Sequence, residues 1–375
     1  MSRLGSLGSK LYRGETAYDF VGKRKLWYGV TLAFVVIALS GLGLRGLNMG
    51  VEFQGGAVFT TPPAVEMTVE EAREVTQEAS GSQARVQRMG DGALRIQVTG
   101  LDTEQSNETR EVLAGELGIP VQELSTDLVG PSWGDQMSSK ALQGLVVFLI
   151  LVTLYLAIAF EWRMSMAALV AVLHDLVITV GVYAIVGFEV TPGTVVGVLT
   201  VLSYSLYDTV VVFDKVKEKT QNVTKQSRRT YGELANLGLN ATLVRSVNTS
   251  VVALLPVGAL LFIGTGLLGG GMLKDIALSL FIGLAAGTYS SIMIATPLVT
   301  DFKLRDREIR AHDKRILAKR EAAAQAAATG AENETGDDDS GAEDAGATTA
   351  STVVGPRRQP ASRNRGRGRP SGKRR

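Results

Sequence analysis

Asp208 is the only charged residue between positions 193 and 213, a stretch otherwise apolar enough to cross a membrane. An ionised carboxylate at the centre of a membrane helix costs about 2.5–3.5 kcal/mol on insertion scales, so a residue kept there needs a partner or a task. His174 and Asp175 stand alone in the same way within 165–186. Thr200, Ser203, Tyr204 and Tyr207 precede Asp208 at steps of three and four, which gathers them on one helical face around it. The next apolar stretch opens with Arg245, Asn248, Thr249 and Ser250, and the spacing of four places Arg245 and Thr249 on a shared face. Asp208 and Arg245 are natural partners. Two readings stay open: a static buried pair, snorkelling included, or a carboxyl that takes up and releases a proton as its cationic neighbour moves. A proton crossing 100 mV makes about 2.3 kcal/mol available, enough to bias a modest conformational change. His174 beside Asp175 is not a metal site without further ligands. Tyr204 and Tyr207 read equally as packing residues with a polar tip.

Six apolar runs must position these residues, at about 26–44, 142–160, 165–186, 193–213, 247–267 and 276–299. Each is long enough to cross roughly 30 Å of hydrocarbon at 1.5 Å per residue. The first follows Lys23, Arg24 and Lys25 and exceeds a signal-peptide core, so it reads as a retained anchor. The basic residues Arg3, Lys10 and Arg13, the cluster Lys215, Lys217, Lys219, Lys225, Arg228 and Arg229, and the set Lys303, Arg305, Arg307 and Arg310 fall on one side of a six-span chain. By the excess of Lys and Arg in cytoplasmic loops, both termini lie inside and the acidic segment 45–140 lies outside. Gly283, Ala285, Ala286 and Gly287 in the last run suit close helix packing. Gly264, Gly266 and Gly269 to Gly271 read as a flexible turn before it.

Residues 45–140 alternate strand and helix patterns. The expected order is a strand over 51–60, a helix over 69–79 opened by a Thr68–Glu71 capping box, and a hairpin of 85–89 and 93–99 about Gly90, Asp91 and Gly92. A helix over 104–117 stopped by Gly118 and Pro120 and a strand over 121–129 follow. This β-α-β-β-α-β order is the ferredoxin-like split unit, which hosts many functions and specifies none. The fold class is therefore an α-helical membrane protein with six transmembrane helices plus a small α+β ferredoxin-like extracytoplasmic domain. The domain order is an inner segment 1–25, the first span 26–44, the outer domain 45–140, spans two to six within 141–300, a basic segment 301–320 and a tail 321–375.

The whole chain has 375 residues, 45% of them hydrophobic, a formal charge of +2 and no cysteine. That excludes disulfides, thiolate metal clusters and thiol nucleophiles, and nothing in the chain carries hydrolysis or covalent chemistry, so the reading is not an enzyme. The acidic stretch that includes Asp337 to Asp339 and the basic run from Arg357 to Arg375 cannot bury enough apolar area to order, so the tail 321–375 is expected to be disordered. Its basic end suits anionic lipid head groups, the ribosome or an acidic partner, or serves only to reinforce topology.

The segment Leu199-Thr-Val-Leu-Ser-Tyr-Ser-Leu-Tyr-Asp-Thr-Val-Val-Val-Phe-Asp-Lys-Val-Lys-Glu218 resembles the fourth span of the SecF family of protein-export membrane proteins. Gly50-Val-Glu-Phe-Gln-Gly-Gly56, Val129-Gly-Pro-Ser-Trp-Gly134, His174-Asp175 and Arg245-Ser-Val-Asn-Thr-Ser250 agree in order and spacing, and the resemblance covers roughly 15–310. It departs at Glu52, where the family usually has Asp, at Ser203 for Gly, and at Tyr207 for Asn. The resemblance implies a bacterial inner-membrane subunit of the resistance-nodulation-division type that works with SecD. It implies use of the proton gradient to help secreted polypeptides leave the SecY, SecE and SecG channel, with SecA and YidC in the wider machinery. It also implies proton coupling by Asp208 and Arg245, supporting roles for His174, Asp175, Tyr204, Tyr207 and Thr249, and an outer motif at Glu52, Gly55 and Gly56, with no cofactor. An autonomous proton-coupled exporter of small molecules or lipids and a purely structural subunit remain the alternatives.

Overall fold

The computed structural model describes residues 18–63, 65–267 and 272–334. The basic residues Arg3, Lys10 and Arg13, the glycines Gly269 to Gly271 and the tail from 335 onward lie outside the described residues.

Among the described residues, six helices are long and apolar enough to cross a membrane. The first, α1 (Arg24–Arg45), is followed by a two-residue strand, β1 (Asn48–Met49), and a single helical turn, α2 (Val51–Gln54). The sequence reads a continuous strand over 51–60; instead Gly55 at φ 77° ends the turn, and the strand β2 (Gly56–Thr60) starts only after it. The chain continues through α3 (Val69–Ser80), β3 (Ala84–Arg88), β4 (Leu94–Thr99), α4 (Thr103–Leu117) and β5 (Ser125–Val129). The capping box forms: Thr68 accepts from the Glu71 backbone N–H, and the Glu71 carboxylate accepts from that of Thr68. The final strand starts four residues later than the sequence suggests, because Val121–Glu123 form a 3₁₀ turn after Pro120.

The sheet order is β3-β4-β2-β5 and every neighbour is antiparallel, which is the ferredoxin-like arrangement. Strand alternation sends Ala57, Phe59, Val86, Ile96 and Val98 to one face, where they form a core with Leu101, Leu113 and Leu124 beneath α3 and α4. The opposite face carries Arg85, Arg95 and Gln97, with Arg85 paired across the ladder to Gln97. That face meets the helical part. Gln97 Nε2 donates to Glu189 Oε1 at 2.9 Å, and β1 pairs in parallel with β6 (Glu189–Val190).

The remaining spans are α5 (Pro131–Ala159), α6 (Trp162–Val186), α7 (Pro192–Thr220), α8 (Tyr231–Leu267) and α9 (Met272–Ser290). The last is continued by a π-helical turn, Ser291–Ala295, and by α10 (Thr296–Lys303). Pro297 lies two residues past the end of the wide turn, and a proline without an N–H to donate cannot extend a regular ladder. At 1.5 Å per residue α8 is about 55 Å long. It begins sixteen residues before the apolar run at 247, so Arg245 lies near the middle of the span Tyr231–Ile263 rather than at its start.

The backbones of α7 and α9 approach closely. A methyl group on Gly283 would stand 2.4 Å from Val201 Cγ1, and one on Gly287 would stand 2.7 Å from Ser205 Cβ. Only glycine allows that distance, and it brings polar side chains of the two helices within hydrogen-bond reach. Beyond the spans, α11 (Arg307–Glu334) corrects the expectation of disorder from 321: residues 321–334 continue the helix. The stretch Arg320-Glu-Ala-Ala-Ala-Gln-Ala-Ala-Ala328 consists of strong helix formers, so local propensity sustains it without an apolar face.

Candidate functional site

Two buried carboxylates lie inside the bundle, each held by hydroxyls from other helices. Asp175, on α6, is fully buried; its Oδ2 accepts from Ser205 on α7 at 2.5 Å and from Ser290 on α9 at 2.9 Å. Its Oδ1 lies 3.0 Å from His174 Nδ1, while the buried His174 Nε2 has no hydrogen-bond partner among the described residues. Asp208, on α7, is also buried; Oδ1 accepts from Ser246 on α8 at 2.8 Å and Oδ2 from Ser291 in the π turn at 2.6 Å. The adjacent Ser290 and Ser291 thus serve different carboxylates.

Asp208 and Arg245, read as partners from the sequence, form no ion pair. Arg245 Nη2 donates instead to the Tyr207 hydroxyl at 3.2 Å, on an exposed flank of the bundle. The expected pairing is one residue out of register on both helices: Tyr207 meets Arg245 and Asp208 meets Ser246. Each residue step turns a helix by about 100°, so one step separates an outer face from an inner one. Thr200 and Ser203 are likewise exposed, bonding to the carbonyls of Val196 and Leu199, so the face expected around Asp208 divides. Tyr204 donates to the Thr249 carbonyl at 3.0 Å, and Thr249 Oγ1 to the Arg245 carbonyl at 2.7 Å. These contacts tie the outer flanks of α7 and α8 together.

A serine hydroxyl can donate to a carboxylate or accept from a protonated carboxyl by rotating its O–H bond. The hydroxyls around Asp175 and Asp208 can therefore serve as donors or acceptors to the carboxyl. A guanidinium, which only donates, would hold a carboxylate in its charged form alone. Ser290 and Ser291 escape the sequence reading, and Ser205 and Ser246 enter it only as parts of the Leu199–Glu218 and Arg245–Ser250 segments. Their signal is the adjacent pair Ser290-Ser291 within a largely apolar run, which the sequence alone does not tie to either acid.

The motif at Glu52, Gly55 and Gly56 lies at the junction between sheet and helices. Gly56, at φ 138°, leaves no space for a side chain: a Cβ would stand 2.2 Å from the Val98 carbonyl oxygen. Gly55 accepts from the Gly100 N–H. Glu52 Oε2 is buried without a hydrogen-bond partner among the described residues. A methyl on Gly50 would stand 2.5 Å from that oxygen and 2.9 Å from Glu189 Oε1, so both carboxyls crowd this glycine. Burial pushes the Glu189 carboxyl above the usual range; Gln97 opposes this, the Glu52 charge adds to it, and Arg85 and Arg95 oppose it.

Six apolar helices among the described residues that close around hydroxyl-held carboxylates, with a ferredoxin-like domain after the first, define a multi-pass membrane protein. The family model for the C-terminal part of the protein export membrane proteins SecD and SecF matches residues 111–305. The chain is 60% identical over all of its 375 residues, and all of the relative's length, to the protein translocase subunit SecF of Streptomyces coelicolor. It is 32% identical to the translocase subunit SecDF of Thermus thermophilus, covering 80% of this chain and 40% of that one. The crystal structure of the Thermus SecDF, a translocon-associated membrane protein, matches with a TM-score of 0.67 at 31% identity, over 77% of this chain and 39% of the solved one. The chain belongs to the SecD/SecF family of protein-export membrane proteins.

Proposed function

We propose that this chain is an accessory subunit of bacterial Sec-dependent export that works with a SecD-type partner and draws on the proton gradient at a late, releasing stage of translocation. The observation that carries the reading is the setting of Asp208: a buried carboxyl whose two oxygens meet rotatable hydroxyls, one of them on Ser246, the residue next to the cation Arg245. Protonation of Asp208 removes a charge from the interface of α7, α8 and the π turn. The hydroxyls of Ser246 and Ser291 then reverse their role, and the balance of contacts between those elements changes. Arg245 and Tyr207 carry that change to the flank of the bundle.

The same flank supports a membrane partner. Tyr207 is 54% exposed, and Arg245, Thr200 and Ser203 lie on the exposed faces of α7 and α8 near the middle of their spans. A guanidinium facing hydrocarbon is costly, and a second helical bundle with acidic or polar groups would cover it. In the Thermus relative, the matching segment is 40% of a longer SecDF chain. On this reading both termini face the cytoplasm and the sheet domain faces outward, where it receives the emerging polypeptide.

The test is release of a slow-folding secreted protein from cells depleted of their own SecF and supplied with this chain or its Asp208→Asn variant. The expected result is that the parent restores gradient-dependent release, while the variant, equally abundant in the membrane, releases at the rate seen with the gradient collapsed. Equal restoration by both removes Asp208 from coupling. If the chain copurifies with no SecD-type partner and exports a small molecule by itself, the accessory reading is overturned.

A further inference from the structure

Three half-buried cations at the sheet–helix junction have no hydrogen-bond or ion-pair partner among the described residues: Arg85 on β3, Arg95 on β4 and Lys274 in the first turn of α9. They line a cavity of about 160 Å³ together with Arg88, Glu189 and Asp275. Strand alternation explains the convergence. Arg85 and Arg95 share the sheet face turned away from α3 and α4, so the register that builds the domain core also turns both guanidiniums toward the helix ends. Arg95 Nε is buried there without a hydrogen-bond acceptor among the described residues, an unmet donor that is costly to desolvate.

The two carboxyls of the lining are committed elsewhere. Glu189 Oε1 accepts from Gln97, and Asp275 Oδ2 accepts from Thr191 at 2.9 Å. Arg88 donates to the carbonyls of Met67 and Gly92 and closes the rim. Four cations against two carboxylates leave the cavity with a surplus of two positive charges. The first turns of α7 and α9 open beside it through Thr191 and Lys274, adding the positive ends of their dipoles.

We propose that this cavity binds a phosphate-type oxyanion, supplied by the head group of an anionic phospholipid. Its depth selects the lipid source: it lies just past the end of α6 at Val186 and beside the starts of α7 and α9, where the hydrocarbon layer gives way to head groups. Phe188 and Leu278 in its lining provide apolar contact for the glycerol ester region. A bound head group bridges strands β3 and β4 to the start of α9, and so links the sheet domain to the span that carries Ser290 and Ser291.

The experiment is native mass spectrometry of the full chain in detergent, titrated separately with dioctanoyl phosphatidylglycerol, dioctanoyl phosphatidylcholine and inorganic phosphate. Phosphatidylglycerol is expected to bind at least ten-fold more tightly than phosphatidylcholine, and the double variant R85Q/R95Q to lose at least ten-fold. R73Q, whose arginine pairs with Glu70 on α3, is expected to leave binding unchanged. Inorganic phosphate binding as tightly as the lipid, and lost in the double variant, supports the oxyanion site with free phosphate as its source. Equal binding of both lipids, or unchanged binding in a folded R85Q/R95Q chain, overturns the proposal. Should that variant fail to fold, K274Q takes its place: a loss of about three-fold supports the site and no loss overturns it.

Discussion

The bundle interior and the sheet–helix junction each hold a pair of carboxyls, and the two pairs are built on opposite principles. Asp175 and Asp208 meet hydroxyls from α7, α8, α9 and the π turn, Asp175 also lies beside His174, and neither forms an ion pair with a lysine or arginine among the described residues. Glu52 and Glu189 crowd Gly50; Glu189 takes the Gln97 amide donor and lines the arginine cavity, while Glu52 Oε2 is buried without a hydrogen-bond partner among the described residues. In the first region the partners are hydroxyls, which can donate or accept. In the second, loss of a proton places charge against charge in a confined space, so protonation and geometry are linked.

The largest effect is expected where the helices approach most closely. Gly287→Val places branched carbon where a single methyl already stands 2.7 Å from Ser205 Cβ, so α9 must move away from α7. Overpacking of this kind costs about 1–3 kcal/mol, and it also breaks the hydroxyl pair on Asp175. A clear fall in the thermal midpoint of the purified chain is expected, together with loss of gradient-dependent release. A variant that melts with the parent would show that the α7–α9 contact does not set the geometry of the interior pair.

Ser291→Ala and Ser246→Ala sharpen the contrast with a smaller effect. Interhelical hydrogen bonds in membranes average about 0.6 kcal/mol, so each variant is expected to melt within a few degrees of the parent. Each leaves one oxygen of Asp208 without its donor, so the gradient-dependent part of release should fall several-fold while abundance holds. A fall in stability with coupling intact would make these serines structural.

The contrast was partly legible in the sequence. Charges in apolar runs are costly enough to advertise themselves, which is why Asp175, His174 and Asp208 stand out and why six spans can be counted. The capping box at Thr68 and Glu71 and the glycines of the α9 interface were readable because few residue types satisfy those geometries. The serines were not, because a serine in a membrane helix most often bonds to its own backbone, as Thr200 and Ser203 do here. Neither was the rotation that separates Asp208 from Arg245. Helix starts fix it, and α8 begins inside a polar segment that hydropathy alone assigns to a loop. The junction was hidden for another reason: Arg85, Arg95 and Glu189 meet only after strand register and span ends are known together.

The smallest expected effect is a pH slope at the junction, and its sign follows from Glu189. Burial raises its carboxyl above the value it has in an opened junction, near 4.5, and the neighbouring Glu52 charge adds to the rise. Below about 4.5 both forms are protonated and the group favours neither. As pH rises from there, the opened form loses its proton first, so the closed junction loses stability until Glu189 ionises in place, after which the loss is constant. Thermal unfolding of the parent in detergent between pH 4 and 7 should therefore show a midpoint that falls with rising pH. Glu189→Gln, which stays neutral and can still accept from Gln97, should flatten that slope. A parent midpoint that rises with pH across this window, or a slope that survives in Glu189→Gln, would remove Glu189 as the acid-sensitive member of the joint. The contrast with the hydroxyl-held pair would then rest on packing alone.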